Sequence, residues 1–139
     1  VKAGGKEELE AVRKLYLNCF ENNKERMYLG IYARILLDAG ENPFPPCIDW
    51  LKKSNFDEES VSEMESMLFA GREEMRNHLI EMLKKETDDE KAIDYITLLL
   101  ISQCQDALEA VSEYRATVTS EKLKERIDSL VRKYAGKGE

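Results

Sequence analysis

All three prolines of this chain fall between Pro43 and Pro46, inside the segment ENPFPPCIDWL at residues 41–51. Proline removes a backbone donor and clashes with the preceding helical turn, so it breaks a helix wherever it sits in the interior. The rest of the chain is free of that constraint. There the apolar side chains recur at steps of three and four, the spacing of an amphipathic helix. Two helical stretches separated by one proline-marked connection therefore frame everything else.

Before the connection, Leu9, Val12, Tyr16, Cys19 and Phe20 form one stripe, and MYLGIYARILL (residues 27–37) is apolar on most of its circumference. Residues 6–38 read as one long helix, with a break near Asn22–Asn23 as the alternative and Gly40 as its C′ residue. After the connection, Asp57, Glu58 and Glu59 crowd a helix start, where acids complement the dipole. The stripe Val61, Met64, Leu68, Gly71, Met75, His78 and Met82 follows at heptad-like steps. Thr87–Glu90 (TDDE) fits the S/T-x-x-E capping box of a further helix, which carries Ile93, Ile96, Leu100, Gln103, Ala107, Ala110 and Tyr114. The last helix starts near Thr119, with Val118 and Leu123 as a hydrophobic staple.

The two middle helices span about 28 residues each, or ~42 Å. The loop between them is very short, so they run antiparallel. The expected fold is all-α: an up-down bundle of four main helices, with a short helix in the long connection between the first two. It forms a single domain over residues 1–139, within the usual size range. Pro45–Pro46 open the short helix, Ile48 and Leu51 pack down together, and Trp50 covers a bundle end or a neighbouring subunit.

Composition narrows function mainly by exclusion. The net charge is −7, and a nucleic-acid backbone demands a basic footprint. No apolar run reaches the ~20 residues of a membrane span. The opening VKAGGKEELE has no apolar signal core. Cys19, Cys47 and Cys104 are odd in number and widely spaced, so neither a disulfide framework nor a zinc site is expected. Reduced thiols in a cytoplasmic protein are the simplest reading.

No catalytic motif is present. A buried di-iron centre needs two Glu-x-x-His motifs plus two further glutamates. The one histidine, His78, has Met75 three residues before it. No metal and no cofactor are therefore expected. His78 reads as a histidine at the core edge, or alternatively as a lone ligand or base. Arg34 is the only charge between Met27 and Leu37. It either snorkels to the surface or pairs with an acid such as Asp94 or Asp106, or it binds an anion inside a bundle cavity. Gln103 stands where the heptad wants an apolar side chain and reads as a buried register-setting amide.

The helical texture from KEELEAVRKLYLNCF through KLKERIDSLVRKYAGK resembles small archaeal four-helix proteins of the ferritin-like and cobalamin adenosyltransferase-like kind. The resemblance implies a bundle architecture and a tendency to self-associate. It implies no activity, because the Gly-rich nucleotide loop ending in G-D-x-G has no counterpart in VKAGGKEE. Two functional expectations follow. The first is a non-enzymatic module that works by self-association, as a homo-oligomer such as a dimer, or by other protein contacts. Its interface would draw on Tyr28, Tyr32, Phe44, Trp50, Phe69 and the methionines. The second is a binder or enzyme for an unidentified small anionic molecule, with Arg34, His78 and Trp50 around a pocket covered by residues 42–50.

Overall fold

The computed structural model describes residues 5–134, and among these every regular element is helical. The all-α expectation holds. The helices are shorter and more numerous than the periodicity suggests. There are eight α-helices, one 3-10 segment and one π-helical turn among the described residues. The chain divides into two compact units, Val1–Arg72 and Glu73–Glu139.

In the first unit, α1 (Lys6–Cys19) and α2 (Leu29–Asp38) are separate helices that pack on each other. The break near Asn22–Asn23 is real. Asn22 accepts a hydrogen bond from the Lys24 amide at 3.0 Å and caps a 3-10 segment, Asn23–Tyr28. Helix α2 ends in a Schellman motif, with Gly40 N–H donating to the Leu37 carbonyl and Glu41 N–H to the Leu36 carbonyl, at 2.9 Å each. Gly40 takes φ 87°, a conformation that costs a side chain energy.

The proline segment is itself a helix, α3 (Phe44–Lys53), with proline in its first turn. Ile48 and Leu51 are both buried in it, as expected. A second Schellman end follows, with Asn55 at φ 58° and the Phe56 amide donating to the Leu51 carbonyl at 2.9 Å. Tyr16 ties α1 to this segment. Its buried hydroxyl donates to the Pro43 carbonyl and lies 3.2 Å from Cys47 Sγ.

The predicted long helix after residue 57 is interrupted. Asp57 caps α4 (Glu58–Met64) by accepting from the Ser60 amide at 2.8 Å. A π-turn, Glu65–Phe69, then closes an i→i+5 bond from the Ala70 amide to the Glu65 carbonyl at 3.2 Å. The widened turn brings Phe69 onto the buried side with Met64, Met67 and Leu68. Gly71, at φ 68°, ends the run. Gly30 lets α2 approach this turn closely: a Cβ there would stand 2.7 Å from the Met67 carbonyl oxygen and 2.6 Å from the Arg72 guanidinium.

The second unit contains α5 (Glu73–Lys85), α6 (Asp89–Ile101), α7 (Gln105–Thr117) and α8 (Glu121–Tyr134). Nine of the thirteen residues of α6 are buried, and α5, α7 and α8 all pack against it. The predicted third helix is thus two. Gln103, read above as a buried amide, is exposed and sits at φ 56° as the left-handed residue that ends α6. Two caps also differ from expectation. Asp88, not Thr87, caps α6, accepting from the Glu90 and Lys91 amides. Ser120 Oγ accepts from the Leu123 amide at 3.2 Å, which places the cap of α8 one residue beyond Thr119 and removes the Val118–Leu123 staple.

Candidate functional site: an apolar stripe and a tryptophan cleft

Helix α2 has more apolar residues than one buried face can take. Leu29, Ala33, Leu36 and Leu37 point into the core. The opposite face carries Ile31 and Ile35, exposed at 48% and 41%. The preceding 3-10 segment adds Met27 at 68% and Tyr28 at 40%. Spacings of three and four residues align these into one outward stripe. Tyr28 and half-buried Tyr32 stand one turn apart with ring centroids 6.3 Å from each other, as the i, i+4 spacing predicts. Among the described residues, every strongly exposed large hydrophobic one, including Leu15 and Leu17 of α1, belongs to the first unit.

Arg34 lies on this same outer face. Its side chain is 59% exposed and its Nε is 4.0 Å from Asp38 of the next turn. The expected acid Asp106 instead faces Arg76 at 3.2 Å. Arg34 thus reaches the surface, the first of the readings open to it, and does not enter a bundle cavity. His78 is likewise exposed on α5, because α5 turns Met75, Leu79 and Leu83 inward instead. Phe44, expected at an interface, is fully buried at the start of α3. Phe69 is also in the core.

Trp50 lies at the edge of its own unit's core. Its ring is 6.5 Å from that of Phe20 and tilted by 51°. The Arg26 guanidinium stands 5.1 Å from the Trp50 centroid. Arg26 also donates to Glu63 at 2.6 Å, and its Nε is buried without a hydrogen-bond partner. Beside Trp50 opens a cleft of about 570 Å³, formed by two helix faces. The end of α1 contributes Leu17, Phe20 and Glu21; α3 contributes Pro46, Asp49, Trp50 and Lys53 at helical spacing; Ser54 and Ser60 complete the wall. Arg34 is not among these residues. Of the residues the sequence singled out for a site, Trp50 lines this cleft; Phe20 and Asp49, whose positions depend on how α1 and α3 cross, were not among them.

A second cleft of about 550 Å³ lies in the other unit, lined by Tyr114, Glu86, Asp89 and the 117–120 link. Burial raises the Tyr114 phenol above its ordinary range, with Asp89 and Glu86 adding to the shift. Burial also pushes the Cys47 thiol up to about 12. That makes Cys47 a poor nucleophile, since the thiolate is the reactive form. Cys19 and Cys104 are free thiols too, Cys19 buried and Cys104 half-buried.

Among the described residues no group of three or more histidine, cysteine or acidic side chains is placed to hold a metal ion. None of the described helices is long and apolar enough to cross a membrane. Compared with protein-family models, curated proteins and solved structures, the chain matches none.

Proposed function

We propose that this chain is a non-enzymatic, cytoplasmic association module whose contact surface is the outer stripe of α2, and that its first partner is a second copy of itself. The architecture assumed is the up-down arrangement of four long, interrupted helical segments. One observation carries the reading: Met27, Tyr28, Ile31 and Ile35 form a continuous apolar stripe facing solvent. Burying a CH₂ group is worth about 0.8 kcal/mol, so leaving such a stripe in water is costly unless something covers it.

Charge limits where a second copy can serve as the cover, and the stripe is a place that permits it. Two chains of net charge −7 repel each other over most of their surfaces. The stripe carries one arginine and one aspartate, Arg34 and Asp38, so it is locally neutral. Two α2 helices apposed antiparallel about a two-fold axis bring Ile31 of one towards Ile35 of the other. With a side chain of this size exposing ~200 Å² when free, the four residues offer on the order of 400 Å². A stable interface uses about 800 Å² per partner, so the expected association is weak.

Sedimentation equilibrium of the full chain tests this. A concentration-dependent dimer is expected, and the pair Ile31→Glu with Ile35→Glu, which sets like charges against each other across the two-fold axis, should leave a monomer with unchanged helix content. A wild-type monomer at millimolar concentration would sink the self-association reading. The anionic-ligand alternative draws less support: a cleft does open beside Trp50, but the exposed Arg34 does not line it.

A further inference from the structure

The cleft beside Trp50 has a chemistry of its own, independent of the α2 stripe. Two aromatic rings, Phe20 and Trp50, meet at a 51° tilt. Two carboxylates, Glu21 and Asp49, share the lining with a single cation, Lys53. The cleft also abuts the C-terminal end of α1, a fourteen-residue helix with no basic residue in its last turn. That end carries the negative pole of the helix dipole. Arg26 beside the cleft is offset by Glu63, so the aromatic rings and the two lining carboxylates against Lys53 leave a balance that favours a positive ligand.

The protein already uses this chemistry once. Arg26 lies over the Trp50 ring and its NH2 donates to the Phe20 carbonyl at 3.5 Å. The volume, about 570 Å³, falls in the range of small-molecule sites, ~300–1,000 Å³. Its apolar walls ask for a cation that carries carbon.

We infer that the Trp50 cleft binds a small organic cation of the alkylammonium class, its carbon against Phe20 and Trp50 and its charge between Glu21 and Asp49. An inorganic anion is the wrong sign for this lining, and a bare metal ion would leave the aromatic walls unused.

Trp50 is the only tryptophan, so its emission reports on the cleft alone. The full chain is titrated with choline and with its neutral isostere 3,3-dimethylbutan-1-ol, and amide resonances are followed in parallel. Choline should shift Trp50 emission saturably and move the resonances of Phe20, Asp49 and Trp50. The isostere should bind ~10-fold more weakly, the scale of one cation–π contact. Glu21→Gln with Asp49→Asn should weaken choline without changing the melting temperature; both side chains are exposed. Glu21→Gln alone serves if the pair perturbs α3. Equal binding of choline and the isostere overturns the inference, as does the lack of a saturable choline response. So does full choline affinity in the folded carboxylate variants.

Discussion

The two units spend similar apolar content differently. In the second, hydrophobicity is concentrated in α6, which is buried over nine of thirteen residues and packed by three regular helices. Its surfaces are closed by ion pairs, Arg115 with Asp128 at 2.7 Å and Arg126 with Glu90 at 2.6 Å. In the first unit the chain is kinked by a 3-10 segment, a π-turn and three left-handed helix ends. Its apolar surplus appears at the surface, on α2 and around Trp50. One region uses apolar side chains for cohesion, and the other keeps some of them available for contact.

The difference can be broken most forcefully in α6. Leu98→Ala, at a position fully buried in wild type, should cost about 2–5 kcal/mol in urea unfolding. Ile31→Ala, on the exposed stripe, should change stability by only about 0.5 kcal/mol. Comparable losses at the two sites would erase the contrast.

Gly30→Ala probes the tight packing of the first unit. The new methyl would press on the Met67 carbonyl, which is backbone and cannot simply swing away. A loss of about 1–3 kcal/mol is expected from such overpacking. A neutral result would mean that α2 can slide freely over the π-turn.

The Tyr16–Cys47 contact gives a pH signature. The folded thiol is raised from an ordinary 9.0 to about 12, so the unfolded chain loses its proton first as pH rises. Stability is then whole below pH 9 and falls between about 9 and 12, at ~1.4 kcal/mol per pH unit for this one group. Cys47→Ala should flatten that part of the stability–pH curve. An unchanged slope would remove Cys47 from the alkaline transition.

The smallest effect belongs to Asp128→Asn. Arg115 holds the Asp128 carboxyl below its usual range by hydrogen bonding. Both partners are substantially exposed, and solvent screens such a pair. The unfolding midpoint should barely move, and high salt should abolish even that change. A large shift would make the second unit's surface, not α6, its source of stability.

How much of this could be read from the sequence depends on which physical signal decides each element. Helical periodicity located the stripes and a glycine rule the Gly40 end, but one helix over residues 6–38 was the leading reading, and the polar patch at 21–26 offered the Asn22–Asn23 break only as an alternative. The breaks at Ala70–Arg72 and Ser102–Cys104 were hidden because apolar spacing resumes in register after each of them. Ala70–Gly71 carried a readable hint in its glycine. Gln103, the residue that adopts φ 56°, carried none. His78 was misplaced, and Arg34 was left with an interior alternative, for a related reason. Periodicity finds an apolar face, but it cannot say which side of an almost wholly apolar helix, such as α2, meets water. Of the pocket trio only Trp50 lies at a cleft, since clefts depend on helix crossings that no single segment encodes.

The π-turn at residues 65–69 has a consequence for chain length. An i→i+5 turn is an α-helix holding one extra residue. Deleting a single residue there would restore ordinary winding and rotate Phe69 by ~100° relative to Met64. The composition of the buried face would change although no core residue had been substituted. In this segment a one-residue gap is equivalent to a core mutation, so its length should be held under selection as tightly as the identity of Phe69 itself.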